Sequence, residues 1–166
     1  MHHDESIKLY IFDADDTLRR STVEGQPCPN DDGQWELLPG VRERLAAIDW
    51  SAGGSRFGIA TNQGGIALGY LSYATAHRLL VEMVKEAFGV ESVPVGAIEI
   101  CPHAPHLKCL CRKPHPAMLL RLMRRFRAGE HETLFVGDMD RDAEAAHRAG
   151  VRFMWAHEFF GFEFHQ

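Results

Sequence analysis

Two short acidic runs, Asp13-Ala14-Asp15-Asp16-Thr17 and Gly137-Asp138-Met139-Asp140-Arg141-Asp142, each follow an apolar segment short enough to be a buried strand. Carboxylates just beyond the C-terminal ends of strands in an open parallel sheet collect in one crevice. Mutually repelling carboxylates are tolerated there when a hard cation such as Mg2+ lies among them. Asp13 and Asp15 occupy alternate positions, which on an extended chain places both side chains on one side. One carboxylate can then attack phosphorus while the other moves a proton on or off the ester oxygen. Thr61 closes a second apolar run, where its hydroxyl and the amide of Asn62 can hold phosphate oxygens. Lys113, ahead of Pro114 at an expected helix start, offers a cation beside free backbone amides. Asp138 and Asp142 complete the cation's shell. Each group alone has an ordinary alternative (turn former, helix cap, solvated lysine), so the signal is their occurrence in order at successive strand ends.

A second constellation lies between these groups. Cys101-Pro102-His103 and Cys109-Leu110-Cys111 gather three thiols and an imidazole in one loop. Three thiolates and a histidine make a closed tetrahedral zinc set. The spacing is not the C-x2-C of common zinc fingers, and a loop of free thiols is the alternative. His106, inside the loop, reads as a spectator. Cys28 stands apart and reads as a small buried hydrophobe.

Alternating strands and helices must position these residues. Residues 8–12, 56–61, 97–100, 133–136 and 151–155 read as strands. Helices are expected over 41–48, from an N-cap at Ser72 to 88, over 114–126, and over 141–149 with Gly150 ending the last. Residues 19–39 are rich in Gly, Pro and Asn and predict turns with a short hairpin. The alternation predicts an α/β fold, a parallel sheet with helices on both faces. The aromatic tail from Phe159 to Phe164 is expected to pack on the domain's own surface.

The 166 residues, 45% hydrophobic and 25% charged, have the composition of an ordinary soluble protein. They suffice for one well-packed domain and are short for two, so 1–166 is read as a single domain. No apolar run reaches the length of a membrane span, and the N-terminus lacks the pattern of a signal peptide. A cytoplasmic protein is therefore expected, with free thiols or metal ligands rather than disulfides. His2 and His3 are assigned no function. The net charge of −5 argues against broad nucleic-acid binding while leaving room for a local basic pocket. Arg121, Arg124 and Arg125 lie opposite the apolar stripe of their helix and, with Arg127, read as a solvated face rather than a nucleic-acid patch. Trp35 is a weak candidate for a pocket border.

Taken together, the chain resembles the haloacid dehalogenase superfamily of phosphohydrolases. Asp13-Ala14-Asp15-Asp16-Thr17 matches its first motif, Ile59-Ala60-Thr61 its second, Lys113-Pro114 its third, and Gly137-Asp138 with Asp142 its fourth. The resemblance implies a Rossmann-like sheet with strand order 5-4-1-2-3. It implies that Asp13 is the nucleophile of an aspartyl-phosphate intermediate and that Asp15 is first acid and then base. It implies Mg2+ held by Asp13, the backbone carbonyl of Asp15 and Asp138, with Asp142 acting through water or as an orienter. The cysteine loop, with Cys-Pro-His-x-Pro and Cys-x-Cys-Arg-Lys-Pro, is similar to the branch holding D-glycero-D-manno-heptose-1,7-bisphosphate phosphatase and histidinol-phosphate phosphatase. There the zinc is structural and shapes the substrate loop in place of a large cap domain. Arg112 then becomes a candidate ligand of the substrate phosphate beside Lys113. Two positions depart from the pattern: Asp16 stands where the family has glycine and is expected to point outward as a turn former, the inward alternative being one that would disfavour anionic substrates, and Ala14 stands where the branch has arginine. Residues 19–38 match neither enzyme clearly.

The expectation is a Mg2+-dependent, monomeric phosphatase of a small phosphate ester, foremost a sugar phosphate of the heptose bisphosphate type. Histidinol phosphate is the next candidate. A nucleic-acid end phosphatase and a non-catalytic zinc-stabilised module that binds a phosphorylated ligand are the remaining readings.

Overall fold

Leu9, Tyr10, Ile11 and Phe12 are all buried, so strand β1 (Leu9–Phe12) is covered on both faces, as its unbroken apolar run requires. The structure, a computed structural model, describes residues 7–162; His2, His3 and the end of the aromatic tail lie outside them. After β1 come β2 (Arg19–Ser21), β3 (Trp35–Leu37), α1 (Val41–Ala46), β4 (Arg56–Asn62) and α2 (Tyr73–Phe88). Then follow β5 (Ile98–Cys101), α3 (Ala117–Phe126), β6 (Thr133–Gly137), α4 (Asp140–Ala149), β7 (Arg152–Trp155) and α5 (Ala156–Phe160).

The main sheet has the order β5-β4-β1-β6-β7, every pairing parallel. Numbered among its own strands, this is the expected 5-4-1-2-3 with β1 in the centre. β2 and β3 form a separate antiparallel hairpin, within the region read as turns. The connection from β1 to β4 carries only this hairpin and α1, with no inserted domain. Parallel pairing brings all the strand C-termini to one edge: Phe12 lies beside Ile59 and Val136, and Thr61 beside Ile100.

The period of two along β1 divides the core. Tyr10 and Phe12 pack with α1, α2 and α5 through residues such as Leu45, Leu80, Met83 and Phe160. Leu9 and Ile11 pack on the other face with α3 and α4, through Leu119, Leu122, Ala145 and Ala146. Ser72 caps α2, its side chain accepting from the Thr75 N–H. The tail turns back into α5, whose Phe159 and Phe160 are buried in the first core. Trp35 packs against that core as well and lines no part of the cavities described below. None of the described helices is long and apolar enough to cross a membrane.

One boundary differs from expectation. The helix read over 114–126 begins only at Ala117. A residue ahead of proline is driven out of the helical region, and Pro114 and Pro116 impose this on Lys113 and His115. Lys113 is therefore held in a loop ahead of the helix, not at its start.

Phe12 makes edge or tilted ring contacts with Phe88, Phe159 and Phe160 at centroid distances of 5.8, 5.6 and 6.0 Å. Phe12→Ala is expected to cost about 3–5 kcal/mol in urea denaturation. Leu68→Ala, at a position 52% exposed, should change stability by less than about 0.5 kcal/mol. Equal losses would contradict this placement of the core.

Candidate active site

Backbone geometry at the end of β1 delivers the first carboxylate. The Asp13 N–H continues the ladder to the Val136 carbonyl at 3.0 Å, which fixes Asp13 at the sheet edge. Its Oδ1 accepts from Lys113 Nζ at 2.8 Å. The same ammonium lies 2.7 Å from Asp142 Oδ1 and donates to the Ala60 carbonyl at 2.8 Å. The Lys113 side chain is 1% exposed. Burial disfavours its charge, but Asp13 and Asp142 outweigh this and hold its pKa above the usual lysine value. Burial drives Asp13 well above the ordinary carboxylate range; Lys113 opposes the rise, and Asp142 and Asp138 add to it.

Asp142 is fully buried, and its Oδ2 accepts from the N–H groups of Asp138 and Met139 at 3.2 and 3.0 Å. It thereby ties the start of α4 to the end of β6. This close approach explains Gly137, since a Cβ there would sit 2.5 Å from the Cβ of Asp142. Ligand oxygens of Asp13, Asp138 and Asp142 lie within 4.8 Å of one another. Burial raises the Asp138 pKa, and the charge of Asp142 adds to it, although a hydrogen bond with Asp13 opposes the rise. Buried carboxyls that hinder one another's ionisation form a donor set that fits a hard divalent cation.

The Asp15 carboxylate is not part of this set of clustered oxygens. Arg19 Nε donates to its Oδ1 and Gln63 Nε2 to its Oδ2, both at 2.9 Å. The Gln63 amide also donates to Thr61 Oγ1 at 2.9 Å. The Asn62 side chain is committed to the backbone of Lys113: its Oδ1 accepts from the Lys113 N–H at 3.0 Å, and its Nδ2 donates to the Lys113 carbonyl at 3.2 Å. Asp16 does form the turn, with φ 63°, a left-handed conformation that favours glycine. It also borders the site, where burial and the charges of Asp138 and Asp15 raise its pKa. The outward orientation expected of it is thus only half met.

Asp13, Asp15, Thr61, Lys113 and Asp138 surround a small cavity of about 180 Å³. A larger one, about 700 Å³, is lined by the loops around 23–30 and 62–71 together with Arg112. Pro27, Cys28, Asn62 and Arg141 border both. Cys28 is therefore not a core filler; it is half-buried beside Asp15, and burial followed by the Asp15 charge pushes its thiol up to about 12. Arg112 is half-buried, and burial together with the charge of Arg141 lowers its pKa.

The thiol–imidazole loop closes on itself as expected. Cys101 Sγ lies 3.2 Å from Cys111 Sγ and 3.7 Å from Cys109 Sγ. His103 Nδ1 lies 3.2 Å from Cys111 Sγ and 3.5 Å from Cys101 Sγ. A tetrahedral zinc with thiolate ligands needs separations of about 3.8 Å, so these donors fit it with slight expansion. The described cysteines form no disulfide. Arg112 is tied to this loop, its Nη1 donating to the His103 carbonyl at 3.3 Å.

Comparison with known proteins agrees with this geometry. Residues 108–156 match the haloacid dehalogenase-like hydrolase family. A D-glycero-beta-D-manno-heptose-1,7-bisphosphate 7-phosphatase of Bordetella bronchiseptica is 34% identical over 147 residues, 87% of this chain and 77% of that protein. The chain belongs to the haloacid dehalogenase-like hydrolases. A protein of the same name from Pseudomonas putida is 38% identical over 122 residues, covering 72% of this chain and 66% of that one. The crystal structure of the D,D-heptose 1.7-bisphosphate phosphatase from B. bronchiseptica, complexed with magnesium and phosphate, superposes with a TM-score of 0.74 at 31% identity, over 89% of this chain and 79% of that one. The relatives at this level of identity are thus phosphatases of the hydrolase family.

Four residues of this site were not singled out as site residues in the sequence: Arg19, Gln63, Arg141 and the repositioned Cys28. Gln63 sits in the Asn-Gln-Gly-Gly run after the second motif, which was a usable signal. Arg19 and Cys28 reach the site from turns that carry no motif, whereas Arg141 stands within the fourth motif but was not itself read as a site residue.

Gly137→Ala should push Asp142 off its caps and cost about 1–3 kcal/mol in urea denaturation. Gly53→Ala, where an added Cβ meets nothing within 4 Å, serves as the neutral control. A Gly137→Ala protein as stable as the control would mean that Asp142 is not held as described.

Proposed function

We propose that this chain is a Mg2+-dependent phosphatase of a small phosphomonoester, acting through an aspartyl-phosphate on Asp13. The observation that carries the reading is the buried Lys113 ammonium, 2.8 Å from Asp13 and 2.7 Å from Asp142, with Asp138 beside them. Lys113 neutralises and aims the Asp13 carboxylate, which attacks phosphorus. The ester P–O bond breaks, and Asp15 delivers its proton to the departing alcohol oxygen. Lys113 and Thr61 hold the phosphoryl oxygens during transfer. Asp15, now a base, takes a proton from the water that attacks the acyl phosphate, which releases inorganic phosphate and restores Asp13. Asp13, Asp138 and the backbone carbonyl of Asp15 would hold Mg2+, with Asp142 as orienter, and the bound cation supplies charge neutralisation for the transferring group. Cys101, His103, Cys109 and Cys111 would hold a structural Zn2+ that sets the register of Arg112 and Lys113.

The substrate reading follows from the larger cavity. Arg112 and Arg141 both line it, and among the described residues neither forms an ion pair; Glu24, which is exposed, is its carboxylate. This balance favours an ester whose alcohol portion is neutral or anionic, such as heptose 1,7-bisphosphate, over a cationic one such as histidinol phosphate. The arginines on α3 suit a solvated face: Arg121 pairs with Glu99, and Arg125 Nε donates to the Val95 carbonyl at 2.9 Å.

Asp13→Asn is expected to abolish turnover of phenyl phosphate while leaving the circular-dichroism spectrum unchanged. Wild type that hydrolyses no ester in the presence of Mg2+, across a panel including both named metabolites, would overturn the assignment. Elemental analysis of protein purified without chelator should find one zinc per chain. Cys109→Ser should lose that zinc, lower the melting temperature and raise KM through a displaced Arg112. Zinc-free wild type would remove the zinc from this account.

A further inference from the structure

Arg19 is a charged residue in a place where a charge is costly. It opens β2, directly after the turn built on Asp16, where the Asp16 N–H donates to the Arg19 carbonyl and the Arg19 N–H to the Ala14 carbonyl at 2.6 and 3.2 Å. Its side chain is 1% exposed, and its Nη1 is buried without a hydrogen-bond partner. Asp15 is the carboxylate it pairs with. It lines neither the small nor the large cavity, so it stands behind Asp15 and touches no space open to a substrate.

A buried pair of this kind is weak evidence for stability, because desolvating both charges offsets their attraction. It does fix geometry. Arg19 holds Oδ1 of Asp15 while Gln63 holds Oδ2, and the same Gln63 amide holds the Thr61 hydroxyl. Two donors on two oxygens determine both the position and the plane of the carboxyl. We infer that Arg19 is a positioning residue that, with Gln63, aims the Asp15 carboxyl at the leaving-group oxygen. The inference rests on the phosphatase reading, in which Asp15 is the acid.

Leaving-group dependence separates this role from a merely structural one. The parameter kcat/KM covers the steps through departure of the alcohol, the step in which Asp15 donates its proton. Phenoxide is a poor leaving group that needs the proton, whereas 4-nitrophenoxide needs it far less. Misaiming an acid costs on the order of 100-fold where its proton is required. Arg19→Met should therefore lower kcat/KM for phenyl phosphate about 100-fold and for 4-nitrophenyl phosphate less than about tenfold. The ratio of the two is measured within one sample, so it is independent of the fraction folded. Arg19→Lys, which keeps a cation, should shift the ratio in the same direction by less, and it carries the test if Arg19→Met does not fold. Equal losses on both esters, or an unchanged ratio in Arg19→Lys together with Arg19→Met, would overturn the inference alone. Wild type inactive on both esters would take down the phosphatase reading and this inference with it.

Discussion

A single buried ammonium organises this molecule's strand-end crevice. Lys113 is the cation in direct contact with Asp13 and Asp142, and it donates its third hydrogen bond to the Ala60 carbonyl at the end of β4. Its position therefore depends on β1, β4 and α4 at once. Its backbone is clamped by both ends of the Asn62 amide. Such a cluster is poorly explained as a stability device, since burying an ion pair commonly returns no more than an apolar replacement would. It suits the chemistry proposed above, in which a carboxylate desolvated against one cation, beside acids that would hold a second, acts on an anion.

The cysteine loop gains its meaning from the same lysine. Cys111, Arg112 and Lys113 are consecutive, so a ligand that fixes the first fixes the register of the other two. The loop is further gripped by the Arg112 contact to the His103 carbonyl and by the close passage of Gly64, where a Cβ would lie 3.3 Å from that carbonyl oxygen. The loop after β4 and the loop after β5 thus meet as one wall. In place of a separate lid, this fold has two loops locked together over the sheet edge.

What was legible in the sequence is what local pattern determines. Unbroken apolar runs marked β1 and β6, Ser72 marked the start of α2, and the acids stood where parallel strands must end. The delayed start of α3 was also a local matter, readable from the prolines but outweighed by the apolar pattern after them. The remaining residues were hidden for a different reason. Gln63 meets Asp15 across 48 positions of chain, and Arg141 meets the larger cavity only because α4 starts beside the acid cluster. Cys28 looked like core because a lone small apolar residue in a turn-rich stretch has no pattern to contradict it. Its proximity to Asp15 depends on how the hairpin folds back, which no local rule fixes.

The division between the two cavities explains why the chemistry was more legible than the substrate. The small cavity is built from the strand ends themselves, where β-ladder register and the Lys113 cluster leave little freedom. The larger cavity is walled by connections, including residues 23–28 and the exposed Leu68 and Tyr70. Connections tolerate change in length and composition far better than sheet interiors do. The region 19–38, which matched neither named enzyme clearly, contributes to this second wall. Arg19 is the point at which this connection reaches back to the strand ends: it opens the hairpin, yet its guanidinium rests on Asp15. On the proposed phosphatase reading, with Asp15 as the acid, a change in that hairpin would alter how the acid is aimed as well as which alcohol is admitted, and one buried side chain would couple specificity to rate.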